Sequence, residues 1–142
     1  MAVKQISVFL ENKPGTLEEM TQVLADAGIG MNALSLAETK DFGIVRMIVD
    51  NVYATATLLR EHEYICRLTD VVMVKIPDVV GGLNRLLVAL KKAGINLEYM
   101  YASLGGKNDA YMIMRVENVA KAEKALSAAG FGLVDQESAD AM

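Results

Sequence analysis

The feature that most constrains this chain is that it comes close to repeating itself. Shifting the sequence by 66 residues places Gly81 on Gly15, Leu83 on Leu17, Leu86 on Met20, Leu90 on Leu24, Gly94 on Gly28 and Ile95 on Ile29. One extra residue in the second half changes the offset to 67, and Val116 then falls on Val49, Asn118 on Asn51, Leu126 on Leu59 and Phe131 on Tyr64. Self-similarity at a fixed period means one supersecondary plan used twice. A length of 142 residues suits two small units, expected at 1–69 and 70–142.

The plan can be read from periodicity. Ile6, Val8 and Leu10 alternate with Gln5, Ser7 and Phe9, as in a strand with two unlike faces. Leu17, Met20, Val23, Leu24 and Ala27 then form one helical face. Thr16 with Glu19 has capping-box spacing, and Gly28 suits the left-handed position that ends a helix. Strands at 29–36 and 44–49 flank a polar turn, Asn51 caps a second helix to about Glu61, and 64–68 closes the unit. The second half repeats this with strands at 71–76, 95–104 and 109–116, helices at 83–93 and 119–129, and a short final strand beginning at Leu133. The order βαββαβ predicts an α+β fold of two ferredoxin-like units in tandem. Each is an antiparallel sheet with both helices on one face, reached by right-handed crossovers.

Two features bear on assembly. Units of this size bury little surface alone, and the segments 44–49 and 111–114 are largely apolar on both strand faces. Something is expected to cover the second face, either a close pairing of the halves or a homodimer. Only Thr69-Asp70 separates the strands at the join, so strand exchange between the halves stays open.

Composition removes several functions. With 14 Lys+Arg against 18 Asp+Glu the balance argues against a binder of duplex nucleic acid, which needs a concentrated basic face, while local basic patches stay open. One His and one Cys supply neither a disulfide nor the usual zinc ligand set. No secretory pattern opens the sequence and no apolar run approaches the roughly 18 residues of a membrane span. A reduced cytoplasmic setting is expected. His62 has no sequence-evident acid-base partner and falls at a helix end, where it can meet free carbonyls. Cys66 lies on a strand as a small apolar residue, and Tyr99, Tyr101 and Tyr111 read as sheet-face packing rather than base-stacking platforms. The nine Met residues read as core and interface filler.

What remains is the loop between the first strand and first helix of each half. Asn12, Lys13, Pro14, Gly15, Thr16 and Leu17 combine an amide, a fixed proline, a glycine that permits close backbone approach and a helix start with unused N–H groups. Such a place suits a carboxylate, and Asn12 offers a donor and an acceptor to the polar end of an amino acid. On spacing alone a plain capped turn is the better reading of it.

At this loop the chain resembles the ACT family, small ligand-sensing modules attached to enzymes of amino-acid metabolism. The run from Asn12 to Leu17, followed by Ala27-Gly28-Ile29, is similar to the serine-sensing domain of D-3-phosphoglycerate dehydrogenases. The resemblance extends over both halves. It implies a tandem ACT protein without an attached catalytic domain or cofactor, binding a free amino acid between two paired units and regulating amino-acid metabolism. The carry-over is uneven. In the second half Asp78, Val80, Gly81, Gly82 and Leu83 keep the glycine and lose the Asn and Pro. The family's Gly-Ile-Asn appears as Gly94-Ile95-Asn96, while the first half has Gly30 in that place and Asn32 two positions later. The expected site therefore combines Asn12 and Gly15 from one half with residues near Asn96 from the other.

Three readings compete. The first is a non-catalytic amino-acid sensor, dimeric and acting on a partner enzyme of amino-acid metabolism. The second is a ligand-free dimerisation or regulatory subunit. The third, a small enzyme, is disfavoured by the shortage of His, Cys and clustered acids.

Overall fold

The computed structural model describes residues 2–103 and 109–141, so Leu104, the expected end of one strand, lies outside the described residues. The elements are β1 (Val3–Glu11), α1 (Thr16–Asp26), β2 (Met31–Glu38), β3 (Phe42–Val49), α2 (Val52–Glu61), β4 (Ile65–Pro77), α3 (Gly82–Lys92), β5 (Leu97–Ala102), β6 (Asp109–Val116), α4 (Val119–Ala128), β7 (Gly132–Val134) and α5 (Gln136–Asp140). Two compact units result. One comprises Lys4–Thr69 and the other Asp70–Ala139, each with a few residues from the opposite end of the chain. Thr69-Asp70 is not a turn, because β4 runs unbroken through it.

In the first unit the strand order is β2-β3-β1-β4, and in the second β5-β6-β4-β7. This is the expected βαββαβ sheet. The two units agree down to pairing register. Ile6 faces Met47 across β1 and β3, and the residues at the same repeat positions, Val72 and Met114, face each other across β4 and β6. A β-bulge falls between Met31 and Ala33 in β2 and, at the matching place, between Leu97 and Tyr99 in β5. Among the described residues the ladder is therefore the same in both units.

Each unit closes a core of its own. Ile6, Val8 and Leu10 of β1 with Val45, Met47 and Val49 of β3 pack beneath Met20 and Leu24 of α1 and Ala56 and Leu59 of α2. In the second unit Val72, Val74 and Ile76 with Met114 and Val116 pack beneath Leu86, Leu90, Ala122 and Leu126. Burying a Leu or Met side chain contributes about 1.5–3 kcal/mol. The alternate strand positions are also withdrawn from water. Ala33 and Ile48 in one unit, and Val71, Met73 and Ile113 in the other, are buried although they point away from these cores.

The helix ends follow local chemistry. Gly28 and Gly94 take φ of 70° and 69° just beyond α1 and α3, the left-handed conformation that ends a helix. Asn51 and Asn118 cap α2 and α4, their side chains accepting from the Ala54 and Lys121 N–H groups. The capping box expected at Thr16 does not form. Gly15 is the N-cap of α1, no side chain caps that end, and Thr16 turns its hydroxyl back to the loop. The short α5 was not expected. Asp135 starts it by accepting from Ser138 N–H at 2.8 Å, which holds the Asp135 carboxyl below its ordinary range.

Candidate functional site

The two strand-to-helix loops have one backbone design. Gly15 and Gly81 both sit at φ 86°, with ψ of −11° and −4°, and each is the N-cap of the helix that follows. A glycine is required by that left-handed φ. Neither helix start has a side-chain cap, in contrast to α2 and α4. The first intrahelical bonds run from Glu19 N–H to Gly15 O and from Arg85 N–H to Gly81 O, both at 3.0 Å. Thr16 N–H turns to Lys13 O and Gly82 N–H to Val79 O, so the N–H groups of Leu17 and Glu18, and of Leu83 and Asn84, are the ones presented at the positive end of a helix dipole, where an anion is favoured by about 0.3–1 kcal/mol.

The loop residues brace this shape. The Thr16 hydroxyl proton is shared between Glu11 O at 2.8 Å and Lys13 O at 3.0 Å. Gly82, at the matching position, lies so close to Pro77 that a Cβ there would stand 2.5 Å from the Pro77 carbonyl oxygen. Asn12 N–H donates to Asp41 O, and the Asn12 amide donates to Glu38 Oε2 at 3.2 Å, which ties the loop to the β2–β3 turn. Lys13 and Glu11 pair at 2.8 Å. This hydrogen bond, reinforced by opposite charge, lowers the Glu11 carboxyl and raises the Lys13 ammonium from their ordinary values. Pro14, Asp78 and Val80 are exposed at the same end of their units, and Leu17 packs half-buried on the first core.

Asn32 and Asn96 lie elsewhere. Asn12 meets Glu38 at the end of β2, whereas Asn32 is near its start, six residues away. At about 3.3 Å per residue that is roughly 20 Å. Asn96 likewise precedes β5 and follows α3, an 11-residue helix about 16 Å long that starts at Gly82. The expected residues therefore form two groups at opposite ends of each unit. No single unit unites a loop with its own second-strand Asn.

The far group contains residues that the sequence reading passed over. Asp50 accepts from Gly30 N–H at 2.9 Å and from the Asn32 amide at 3.4 Å, and a Cβ on Gly30 would stand 2.6 Å from Asp50 Oδ2. The Asp50 carboxylate occupies the space that a side chain at position 30 would enter. In the second unit Asn96 takes the glycine's place, and a concavity of about 470 Å3 opens beside it, lined by Glu98, Glu117, Asn118 and Lys121. The repeat offset that puts Glu117 on Asp50 was the available signal.

His62 Nδ1 donates to Leu58 O at 3.0 Å at the end of α2, as a helix-end histidine should. Cys66 is half-buried against the first core, its Sγ 3.8 Å from Ala56 O. Tyr99, Tyr101 and Tyr111 are half-buried on β5 and β6. Among the described residues no three His, Cys, Asp or Glu side chains converge on a metal position, and no helix is long and apolar enough to cross a membrane.

Over residues 1–142 the sequence matches the family described as the ACT domain pair. The chain belongs to that family. Protein BT0572 from Bacteroides thetaiotaomicron is similar to this ACT pair at 36% identity with a TM-score of 0.93, over 100% of this chain and 98% of that one. The ligand-free regulatory subunit of aspartate kinase from Thermus thermophilus has the same fold at 20% identity and a TM-score of 0.65, over 89% of this chain and 92% of its own. The regulatory subunit from Thermus flavus follows at 18% identity and a TM-score of 0.60, over 89% and 91%. No curated relative matches at a significant level. Both Thermus chains are described as regulatory subunits.

Proposed function

We propose that this ACT pair is a non-catalytic regulatory module that binds a free amino acid between two paired ACT units. One observation carries the reading. In both units the helix after the loop begins at a left-handed glycine with no side-chain cap, while the other helix of the same unit is capped by Asn. The N–H groups of Leu17 and Glu18 in one unit, and of Leu83 and Asn84 in the other, suit the ligand carboxylate, and the Asn12 amide suits its polar end. Asn96 lies at the opposite end of its own unit, so it reaches such a ligand only from a facing unit, in the same chain or in a second copy. Gly15 and Asn12 would then act with Asn96, and Gly81 with the facing unit's counterpart.

The regulatory step is differential binding. A ligand held by two units favours the arrangement in which both contribute, and a partner that prefers one arrangement reads its presence. The regulatory subunits of aspartate kinase offer the analogy for that partner, a catalytic subunit of amino-acid metabolism in the cytoplasm. The exposed flank of α3, with Val80 fully exposed and Leu83 and Leu87 at 40% and 36%, supports a homodimer or a docked partner.

Thermal unfolding against each free amino acid at millimolar concentration tests the proposal. A ligand near 100 times its Kd adds about 2.7 kcal/mol, and one amino acid or a small chemical group of them should raise Tm. Asn12→Ala together with Asn96→Ala should abolish the rise. A retained rise in that double variant refutes the placement. No rise with any amino acid favours the second reading, a ligand-free interaction module, which the same apolar flank supports.

A further inference from the structure

The helices α1 and α3 occupy the same repeat position with opposite charge. α1 carries Glu18, Glu19 and Asp26 and no Lys or Arg, whereas α3 carries Arg85, Lys91 and Lys92 and no Asp or Glu. The reversal is positional, since the 66-residue offset places Arg85 on Glu19 and Lys92 on Asp26. All four of these side chains are exposed. On each helix the charged pair is separated by seven residues, about 10.5 Å along the axis. The spacing of the two carboxylates therefore matches that of the two cations.

The surroundings differ as well. Between α3 and α4 lies a groove of about 580 Å3, lined by Arg85 and Lys92 and by small side chains including Ala89, Ala125 and Ala128. Leu58 and Glu61 of α2 stand where Ala125 and Ala128 stand on α4, so the first unit has larger and acidic side chains there. Small residues permit close approach of a helix backbone. The α1 stripe of Glu19, Gln22 and Asp26 is exposed, while Met20 and Leu24 hold α1 in its own core. Docking by that stripe needs no unfolding.

We propose that the α3–α4 groove receives α1 of a second copy of this chain, with Glu19 and Asp26 opposite the cations Arg85 and Lys92. Charge excludes the symmetric alternatives, since α1 on α1 brings carboxylates together and α3 on α3 brings cations together. The contact joins unlike surfaces, so each copy offers one donor helix and one receiving groove. This surface is distinct from the Leu83 and Leu87 flank, and the proposal does not rest on amino-acid binding.

The test mixes two full-length chains in a Cys66→Ser background, one carrying Gln22→Cys at the middle of the acidic stripe and the other Val88→Cys at the middle of the basic one. These central positions make the readout independent of helix direction. Mild oxidation without any amino acid should give the mixed disulfide dimer in excess over either chain alone. Like-with-like dimers in equal or greater yield, or no dimer above that of an exposed Lys40→Cys control, overturn the proposal. In sedimentation at low salt, Arg85→Glu with Lys92→Glu should weaken self-association about tenfold, and adding Glu19→Lys with Asp26→Lys should restore it to within about threefold. Self-association unchanged by the first pair of substitutions also overturns it. Far-UV circular dichroism verifies that these surface variants fold.

Discussion

Positions 16 and 82 answer one steric demand in two ways. Thr16 bridges to the Glu11 carbonyl through its hydroxyl, while Gly82 lets the Pro77 carbonyl approach to where a Cβ would stand 2.5 Å away. Gly82→Ala therefore sets a methyl against rigid backbone, and urea unfolding should show a loss of about 1–3 kcal/mol. Thr16→Val keeps the shape and removes the hydroxyl, so its loss should be near 1 kcal/mol; a larger loss at 16 than at 82 would contradict this assignment. Tyr64 gives a pH test. Burial first, and the Glu19 carboxylate second, raise its phenol above the usual 10.0. The unfolded chain therefore releases this proton at lower pH than the folded one. The Tyr64 contribution is complete below about pH 10, the ordinary phenol value, and is lost as pH rises through the folded value. Melting curves of the wild type and Tyr64→Phe should share one pH dependence below that point, with the wild type falling faster above it. Parallel curves throughout would mean that Tyr64 titrates as it does in the unfolded chain.

Helix ends were the most legible elements, and the reason lies in short-range chemistry. Asn51, Asn118, Gly28 and Gly94 perform the tasks their positions suggested. Asn118 is extended at φ −113°, so Asn118→Ala should remove only the cap, about 1 kcal/mol in chemical denaturation. Asn51 is left-handed at φ 32°, a conformation that Ala resists, so Asn51→Ala should cost roughly twice as much and Asn51→Gly should recover part of it. Equal losses for the two alanine variants would remove the strain argument. Where the reading failed, longer-range geometry decided. Thr16 has the spacing to Glu19 that a capping box requires, yet the left-handed Gly15 turns the hydroxyl toward Glu11 and Lys13. The division between the units does fall at Thr69-Asp70, but the sequence did not show that β4 continues through it, with the Asp70 carbonyl accepting from Arg115 Nη1 at 2.8 Å from 45 residues away. α5 carries one buried residue, Ala139, too little for a periodic signal. For the candidate site, the loops were visible in Asn12–Leu17 and in the glycines at 81 and 82. The distance of Asn32 and Asn96 from those loops was not, because it depends on strand direction, and the Asp50 clasp on Gly30 is a tertiary contact 20 residues apart.

At the scale of the whole molecule, duplication has produced two cores that share no buried residue in their central clusters. Leu59 and Leu126 are the same position in each, both fully buried beneath their own sheets. Truncating either to Ala removes about the same transfer energy and leaves a void, for an expected loss of about 2–5 kcal/mol each. The difference between the two losses measures how far each core relaxes around its void. Sites without common packing partners usually combine additively, within about 0.5 kcal/mol. The double variant Leu59→Ala with Leu126→Ala should therefore lose the sum of the single losses. Because that sum approaches the roughly 5–15 kcal/mol available to a folded domain, the comparison is best made by urea unfolding in a stabilising osmolyte that leaves enough native baseline to measure. Departure from the sum by more than about 1 kcal/mol would mean that the two cores are energetically coupled beyond these clusters. Additivity would assign each core its own separable contribution, the result expected when one βαββαβ plan has been used twice.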